Sequence, residues 1–253
     1  MGLLNKLGIG PGASAGRSVS SRPVPAGSSA SHHRTGGSQS AALGTHRAPE
    51  TDHASRVSNG LKEFLWNLDG LGRGTLLDLG PAWQTTLNFF IERGFRVTSD
   101  DLLRSWKDFL AEDEVRLKNA VTASEPVDLT AAGRAARFVQ ANLKYPAASF
   151  DAVLLWDILD YLEPTVSKQT VLCLTELLRP GGIVFAMFHS KKPEGFQRYR
   201  IADSTTLQVI DTPPLCPAQR VYQNREIQDL FNRFRTVKSF VGRDQLRESL
   251  FVK

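Results

Sequence analysis

The spacing of hydrophobic residues along the chain predicts a regular fold that starts at about residue 56. It indicates a helix over residues 57–68, a short buried strand over 75–79, a helix over 85–92 and a second strand over 95–99. Glycine turns separate these elements. Strand, helix and strand in close succession are the unit of a parallel α/β sheet, and we therefore expect such a sheet here.

The second half of the chain continues the pattern with further strands and helices. The predicted elements, in order, are a mainly helical stretch (103–137), a third strand (138–140), a fourth strand (150–156), a helix (166–178), a Pro-Gly-Gly turn (179–182), a strand (183–188), an irregular connection (190–222), a helix (225–234) and two β-rich stretches (236–241 and 248–252). The fourth strand is apolar throughout, as is typical of a strand that is covered on both faces. The two final stretches are close enough in sequence to pair antiparallel.

Composition divides the chain into two parts. Residues 1–50 are rich in Ser, Gly, Ala and Pro and contain one acidic residue, Glu50. Such a segment buries too little apolar area to offset the entropy of ordering it. We therefore expect a disordered, low-complexity tail over residues 1–54 and one folded domain over residues 55–253.

The tail also accounts for most of the net charge of +5. The first 50 residues carry a net charge of +4 and the remainder only +1. A nucleic-acid-binding domain usually presents a strongly basic face, so nucleic acid is not the expected partner of the domain as a whole. A smaller basic excess in residues 191–253 leaves an RNA-directed enzyme as an alternative.

Other classes of protein are disfavoured by simple features of the sequence. Cys173 and Cys216 form no Cys-x-x-Cys pair, so neither a disulfide framework nor a metal site is expected. No apolar run approaches the roughly 20 residues that cross a bilayer, so no membrane partner is expected. We expect a cytoplasmic protein, with an organellar location through the Arg- and Ser-rich leader as the alternative.

Four places in the predicted domain carry a resemblance to a known family. Residues 76–80, Leu-Leu-Asp-Leu-Gly, are similar to a first motif that continues Asp-x-Gly-x-Gly-x-Gly, and Asp101 follows Asp78 by 23 positions. Asn142 precedes the fourth strand, and residues 149–162 lead through a helix to Arg-Pro-Gly-Gly at 179–182. Together they resemble the class I S-adenosylmethionine-dependent methyltransferases over nearly all of residues 57–253.

This resemblance implies a fold and a cofactor. The fold is a Rossmann-like, doubly wound, seven-stranded sheet with an antiparallel last strand in a three-layer αβα arrangement, and the cofactor is S-adenosyl-L-methionine. A glycine turn would let the backbone pass close to the methionine part, and Asp101 would accept hydrogen bonds from the ribose hydroxyls. The cofactor-binding residues that the resemblance implies are Asp78, Gly80, Pro81, Ala82, Asp101, Leu102, Asn142, Leu143 and Trp156.

The first motif departs from the family's pattern. Ala82 and Gln84 stand where the second and third glycines are expected, with Trp83 between them. These side chains remodel the methionine pocket or close it. Two functions therefore stay open: a methyltransferase acting on an unidentified small-molecule or protein acceptor, and a catalytically inactive methyltransferase-like scaffold that binds a partner protein.

The catalytic residues are not identified by any motif. Three candidates follow the predicted fourth and fifth strands: Asp157, Tyr161 and His189. His189 is the one histidine in the predicted domain beyond residue 53, and a base is needed only if the acceptor starts protonated. Asp160 is a further residue at the end of the fourth strand. The alternatives are a helix-capping role for Asp157 and Asp160 and a surface loop position for His189. The connection 190–222, which contains Arg198 and Tyr199, is expected to cover the active site and to set substrate choice. No Asn/Asp-Pro-Pro-aromatic sequence follows the fourth strand, which argues against adenine-N6 or glutamine-amide methylation.

Overall fold

The structure is a computed structural model that describes residues 54–123 and 128–253. Its helices and strands, in chain order, are β1 (Ser55–Val57), α1 (Asn59–Leu68), β2 (Gly74–Asp78), α2 (Gln84–Ile91), β3 (Phe95–Ser99), α3 (Leu102–Ala123), α4 (Ala131–Asn142), β4 (Phe150–Trp156), a 3₁₀ turn (Ile158–Asp160), α5 (Pro164–Leu177), β5 (Leu178–His189), β6 (Gln197–Ile201), β7 (Thr206–Asp211), α6 (Asn224–Leu230), β8 (Arg235–Val241) and β9 (Leu246–Val252). The predicted tail falls almost entirely on residues 1–53, outside the described ranges.

The main sheet has the strand order β3-β2-β4-β5-β9-β8. The first four strands pair in parallel, whereas β9 runs antiparallel to both β5 and β8. The α/β prediction with a reversed last strand is therefore confirmed. This order reverses direction between β2 and β4, which is the switch point where ligands bind in doubly wound sheets.

Helices cover the sheet in two groups, as the three-layer expectation requires. The rings of Phe64 on α1 and Phe90 on α2 meet edge to face, and Phe64 also packs on Phe185 of β5. Trp106 on α3 packs on Phe138 of α4, and α4 contacts α5. Strand β4 is buried along its length apart from the half-buried Asp151, because both of its faces are covered.

The predicted third strand over residues 138–140 is wrong, because these residues belong to α4. Thr130 caps the start of this helix, and its side chain accepts a hydrogen bond from the backbone N–H of Gly133. Ala135, Phe138 and Val139 then lie on one buried helical face. A short apolar run does not by itself separate strand from helix. The main sheet consequently has six strands in the described part of the chain rather than the expected seven.

A second sheet occupies part of the stretch predicted to be irregular. Strands β6 and β7 form an antiparallel hairpin, here called the β6–β7 hairpin (residues 197–211), and β1 pairs with β7 in the order β1-β7-β6. The backbone N–H of Ile201 donates to the hydroxyl of Thr86 on α2 at 3.0 Å. The hairpin is therefore fixed against the helix that follows β2.

Among the described helices none is long and apolar enough to cross a membrane. The same residues contain no group of three or more His, Cys, Asp or Glu side chains arranged to hold a metal ion.

Candidate active site

The carboxyl ends of the parallel strands bring four of the predicted residues to one edge of the sheet. Asp78 and Trp156 are the last residues of β2 and β4, Asp101 follows β3, and His189 ends β5. Parallel strands share the edge at which they end, so residues far apart in sequence meet there. This edge is the candidate active site.

Asp78 is buried, with 1% of its surface exposed. One carboxylate oxygen accepts hydrogen bonds from the backbone N–H of Gly80 at 2.9 Å and from the indole N–H of Trp156 at 2.7 Å. The other oxygen has no partner within the described residues. Burial raises the pKa of Asp78 to about 6 although both hydrogen bonds oppose the rise.

The indole of Trp156 lies directly against the turn after β2. A Cβ atom added to Gly80 would stand only 2.6 Å from the indole nitrogen, so glycine is required at this position. Trp156 itself has a φ of 52°, a conformation that is uncommon for a large side chain. The phenol ring of Tyr199, from β6, stacks on the indole with a centroid distance of 6.3 Å.

The next residues of the predicted turn do not enclose a pocket. Ala82 is exposed, and the carbonyl of the half-buried Pro81 accepts a hydrogen bond from the N–H of Trp83 at 2.7 Å. Arg200 of β6 lies over the ring of Trp83. The space above the turn is filled by Trp156 rather than by Trp83 or Gln84.

Asp101 forms an ion pair with an arginine from the segment that follows β5. The guanidinium of Arg198, from β6, donates to one carboxylate oxygen at 2.5 Å, and only 6% of the Arg198 side chain is exposed. The same oxygen accepts a hydrogen bond from the N–H of Arg104, so Asp101 also caps α3. Leu102 is buried in the core, and its N–H donates to the carbonyl of Leu79.

Asn142 and Leu143 end helix α4 instead of following a strand. The amide of Asn142 donates to the carbonyl of Phe138 one turn earlier, and Leu143 is buried. In the part of the chain that the structure describes, neither residue forms a hydrogen bond with Asp78, Asp101 or Trp156. Their contacts with an adenine ring stay a prediction, although the strand that was expected to precede them is part of helix α4.

A histidine and two aspartates form a buried cluster where β4 and β5 end. The same carboxylate oxygen of Asp160 accepts the backbone N–H of His189 at 2.7 Å and lies 2.9 Å from its Nδ1. The other ring nitrogen, Nε2, lies 3.9 Å from a carboxylate oxygen of Asp157. Burial lowers the pKa of His189, but the hydrogen bond to Asp160 and the charges of both aspartates outweigh it, and the net shift is upward.

The other two catalytic candidates of the sequence belong to this cluster. Asp157 is buried, and burial raises its pKa to about 7. Tyr161 is also buried, its ring lies edge-on to His189, and burial raises the pKa of its phenol. In the described part of the chain, one oxygen of Asp157, one oxygen of Asp160 and the hydroxyl of Tyr161 have no hydrogen-bond partner. Unpaired buried polar atoms are rare in folded proteins and point to a missing ligand or water.

An open cavity of about 480 Å³ reaches this cluster from outside. Tyr161 forms part of its wall, together with Phe196, which packs edge to face on Tyr161, and Cys216. The lining of this cavity includes neither His189, Asp157 and Asp160 nor the glycine turn after β2. Tyr161 is therefore the member of the cluster that borders the cavity.

Arg198 and Tyr199 belong to the connection of residues 190–222, which was expected to cover the site, but their contacts with Asp101 and Trp156 were not predicted. They lie in a stretch of alternating polar and apolar residues, Gln-Arg-Tyr-Arg-Ile at 197–201, which is a weak strand signal. Asp160 was a candidate at the end of the fourth strand, and its pairing with His189 depends on the tertiary structure.

The polar groups of this edge suit S-adenosylmethionine, but their present arrangement leaves it no room. The cofactor carries a positive ammonium and a positive sulfonium, and the unpaired oxygens of Asp78 and Asp157 are buried acceptors that a cation would satisfy. The indole of Trp156 and the guanidinium of Arg198 fill the space next to Gly80 and Asp101. The buried carboxylates therefore suit the cofactor in charge, and the cofactor fits only if the β6–β7 hairpin moves.

Comparison with known proteins was made at the level of sequence and of structure. No protein-family model matches the sequence, and a search of the curated proteins returns no match. Among solved structures, an S-adenosylmethionine-dependent methyltransferase from Mesorhizobium loti is 15% identical, with 76% of this chain and 96% of that chain covered and a TM-score of 0.45.

Two further solved structures show the same degree of likeness. The 1,6-didemethyltoxoflavin-N1-methyltransferase of Burkholderia thailandensis, with bound 1,6-didemethyltoxoflavin and S-adenosylhomocysteine, is 18% identical over 77% of this chain and 78% of that chain, with a TM-score of 0.41. An S-adenosylmethionine-dependent methyltransferase from Methanosarcina mazei is 14% identical over 72% and 93%, with a TM-score of 0.40. At these values the likenesses carry no argument about activity, and the α/β fold rests on the strand order itself.

Proposed function

We propose that this chain is an S-adenosylmethionine-dependent methyltransferase with a small-molecule or protein acceptor. The observation that carries the proposal is the pair of buried carboxyl groups, Asp78 and Asp157, each with an unpaired oxygen among the described residues. Both are last in, or directly after, a parallel strand at the switch point of the sheet. A ligand with two positive groups would satisfy both oxygens.

The residues that would hold this cofactor are those that the family resemblance implies. Asp78 and the Gly80 turn would hold the methionine part, and Asp101 would accept hydrogen bonds from the ribose hydroxyls. When bound, S-adenosylmethionine supplies a methyl group on a sulfonium. Because displacement of this methyl group is in line, the main task of the chain is to position the acceptor.

In this proposal His189 would remove a proton from the methyl acceptor. Asp160 would accept a hydrogen bond from Nδ1–H of the ring, which leaves Nε2 as the nitrogen that takes the proton. The charge of Asp157, 3.9 Å from Nε2, would stabilise the protonated ring after the transfer. The methyl acceptor would bind in the cavity beside Tyr161, whose ring contacts His189.

The test is calorimetric titration of the full chain with S-adenosylhomocysteine. We expect wild-type binding. The ribose contact is tested with Asp101→Asn made in the Arg198→Met background, because Asp101→Asn alone also removes the ion pair with Arg198. In that background Asp101→Asn should weaken binding about tenfold or more, since the loss of one charge-assisted hydrogen bond costs about 1.5 kcal/mol or more. Asp108→Asn in the same background is the matched control, because Asp108 is exposed on helix α3, which Asp101 caps. Equal binding with and without Asp101→Asn would contradict the assigned ribose contact. If neither the wild type nor Arg198→Met binds, the cofactor proposal is wrong.

A second candidate function is a catalytically inactive, methyltransferase-like scaffold that binds a partner protein. The specific observation in its favour is that Trp156 and Arg198 already occupy the groups that the cofactor would use. This candidate predicts that the wild-type chain does not bind S-adenosylhomocysteine. Binding by the wild-type chain would contradict it.

A further inference from the structure

Two consecutive buried residues of the β6–β7 hairpin contact the edge of the main sheet. Arg198 pairs with Asp101, and its neighbour Tyr199 stacks on Trp156. Trp156 in turn donates to Asp78 and packs on Gly80. A continuous chain of contacts thus joins the hairpin to four of the residues that were assigned to the cofactor.

The contact of Arg198 with Asp101 competes with a ribose for the same carboxylate. One of the two carboxylate oxygens already accepts from Arg198 and from the N–H of Arg104. Arg198 also lies against the ring of Phe196 and is almost completely buried. A ribose hydroxyl can replace Arg198 at this oxygen only after the guanidinium has left.

The hairpin is joined to the rest of the domain through both of its strands. Strand β7 pairs with the three-residue strand β1, Ile201 of β6 donates to Thr86 of α2, and Tyr199, Ile201 and Leu207 are buried in the core. Gly195, two residues before β6, has open space where a Cβ would lie. Residues 191–192 and 194–195 are exposed, whereas Pro193 is half-buried, so the segment that leads into the hairpin packs little against the domain.

We infer that the β6–β7 hairpin is a built-in competitor of the cofactor, and that Arg198 sets the affinity of the chain for S-adenosylmethionine. The inference rests on the proposed function. Arg198 and Tyr199 leave Asp101 and Trp156 before the cofactor binds, and they return when it leaves. The apparent affinity is then the intrinsic affinity reduced by the fraction of molecules in which the hairpin is displaced.

The experiment measures S-adenosylhomocysteine binding to the full chain in two matched variants. Arg198→Met keeps an unbranched apolar stem but removes the guanidinium and with it the ion pair with Asp101. Arg200→Met, on the same strand, removes the hydrogen bond to Gln208 instead. We expect the affinity of Arg198→Met to rise about tenfold or more through a larger displaced fraction, while that of Arg200→Met stays unchanged. Thermal unfolding checks that both variants fold.

Hydrogen exchange of the backbone amides gives a second readout. A competitor is released by the ligand, so the amides of residues 197–211 should exchange faster in the complex. A lid that closes on the ligand would show slower exchange.

The inference is overturned by unchanged or weaker binding of Arg198→Met, or by slower amide exchange of the hairpin in the complex. In either case, binding by the wild type would leave the proposed function standing. Absence of binding in the wild type and in Arg198→Met overturns both.

Discussion

One carboxylate oxygen of Asp160 holds His189 at two points, through the backbone N–H at 2.7 Å and through Nδ1 at 2.9 Å. This double contact sets the orientation of the ring and directs Nε2 towards Asp157. A carboxylate that accepts a hydrogen bond from Nδ1 also fixes which nitrogen carries the proton in the neutral ring. The pair is therefore arranged as a base with its orienting group.

The pKa of His189 should lie above its ordinary value and fall in Asp160→Asn. The cause is the loss of the hydrogen bond and of the charge of Asp160, which together with Asp157 outweigh the lowering effect of burial. The measurement is a histidine NMR titration, with the signal identified by its absence in His189→Gln. Asp203→Asn, an exposed position, serves as the control. An equal or higher His189 pKa in Asp160→Asn would show that the assigned contact is wrong.

The stability of the protein should fall with rising pH because of Asp78. Its pKa is raised to about 6 by burial in the folded state, so the native chain binds more protons than the unfolded chain above about pH 4. The contribution of this proton is therefore present at low pH and is lost as pH rises through the folded pKa. From about pH 5 to about pH 8 the loss is about 1 kcal/mol.

Urea unfolding of wild type and Asp78→Asn at both pH values isolates this contribution. The difference between the two unfolding free energies should change by that amount, in favour of Asp78→Asn at the higher pH. Asp69→Asn replaces an exposed carboxyl as the control. A difference that is independent of pH would mean that Asp78 is not the buried acid described above.

Gly80→Ala should destabilise the fold and displace Trp156. The new Cβ would stand 2.6 Å from the indole nitrogen, so the indole must move and lose its hydrogen bond to Asp78. Overpacking of this kind costs about 1–3 kcal/mol. Urea unfolding and tryptophan fluorescence report the two effects, with Gly195→Ala as the control because its Cβ would meet open space. Equal stability of the two variants would argue against the close approach.

Glu248→Ala should be among the most damaging single changes away from the site. Glu248 is buried on β9 and accepts from Arg56 at 2.5 Å and from the N–H of Gly60 at 2.6 Å, which ties β1 and α1 to the main sheet. Removing one partner of a buried ion pair costs about 3–5 kcal/mol. The exposed pair of Glu63 with Lys238 is the control, and Glu63→Ala should cost under about 1 kcal/mol. Similar losses in the two variants, measured by urea unfolding, would contradict the structural role of Glu248.

Much of the fold could be predicted because burial imposes a local pattern. Runs of apolar residues indicate the buried strands β2 and β4, and the helical spacing of apolar residues indicates the amphipathic helix α1. The antiparallel pairing at the end of the chain follows from the short connection between β8 and β9. The stretch 138–140 was predicted wrongly because two apolar residues, Phe138 and Val139, suit a strand or a helix equally. Only the packing of Phe138 on Trp106 and Phe109 selects the helix.

The site divides in the same way. Hydrophobic periodicity and the order of the strands place Asp78, Asp101, Trp156 and His189 at one edge of the sheet, since parallel strands end together. Two contacts follow only from the tertiary structure. Arg198 pairs with Asp101 across 97 positions of sequence, and Asp160 rather than Asp157 contacts Nδ1 of His189. Ion pairs and hydrogen bonds between distant segments depend on distances of a few ångströms, and no local pattern in the chain encodes them.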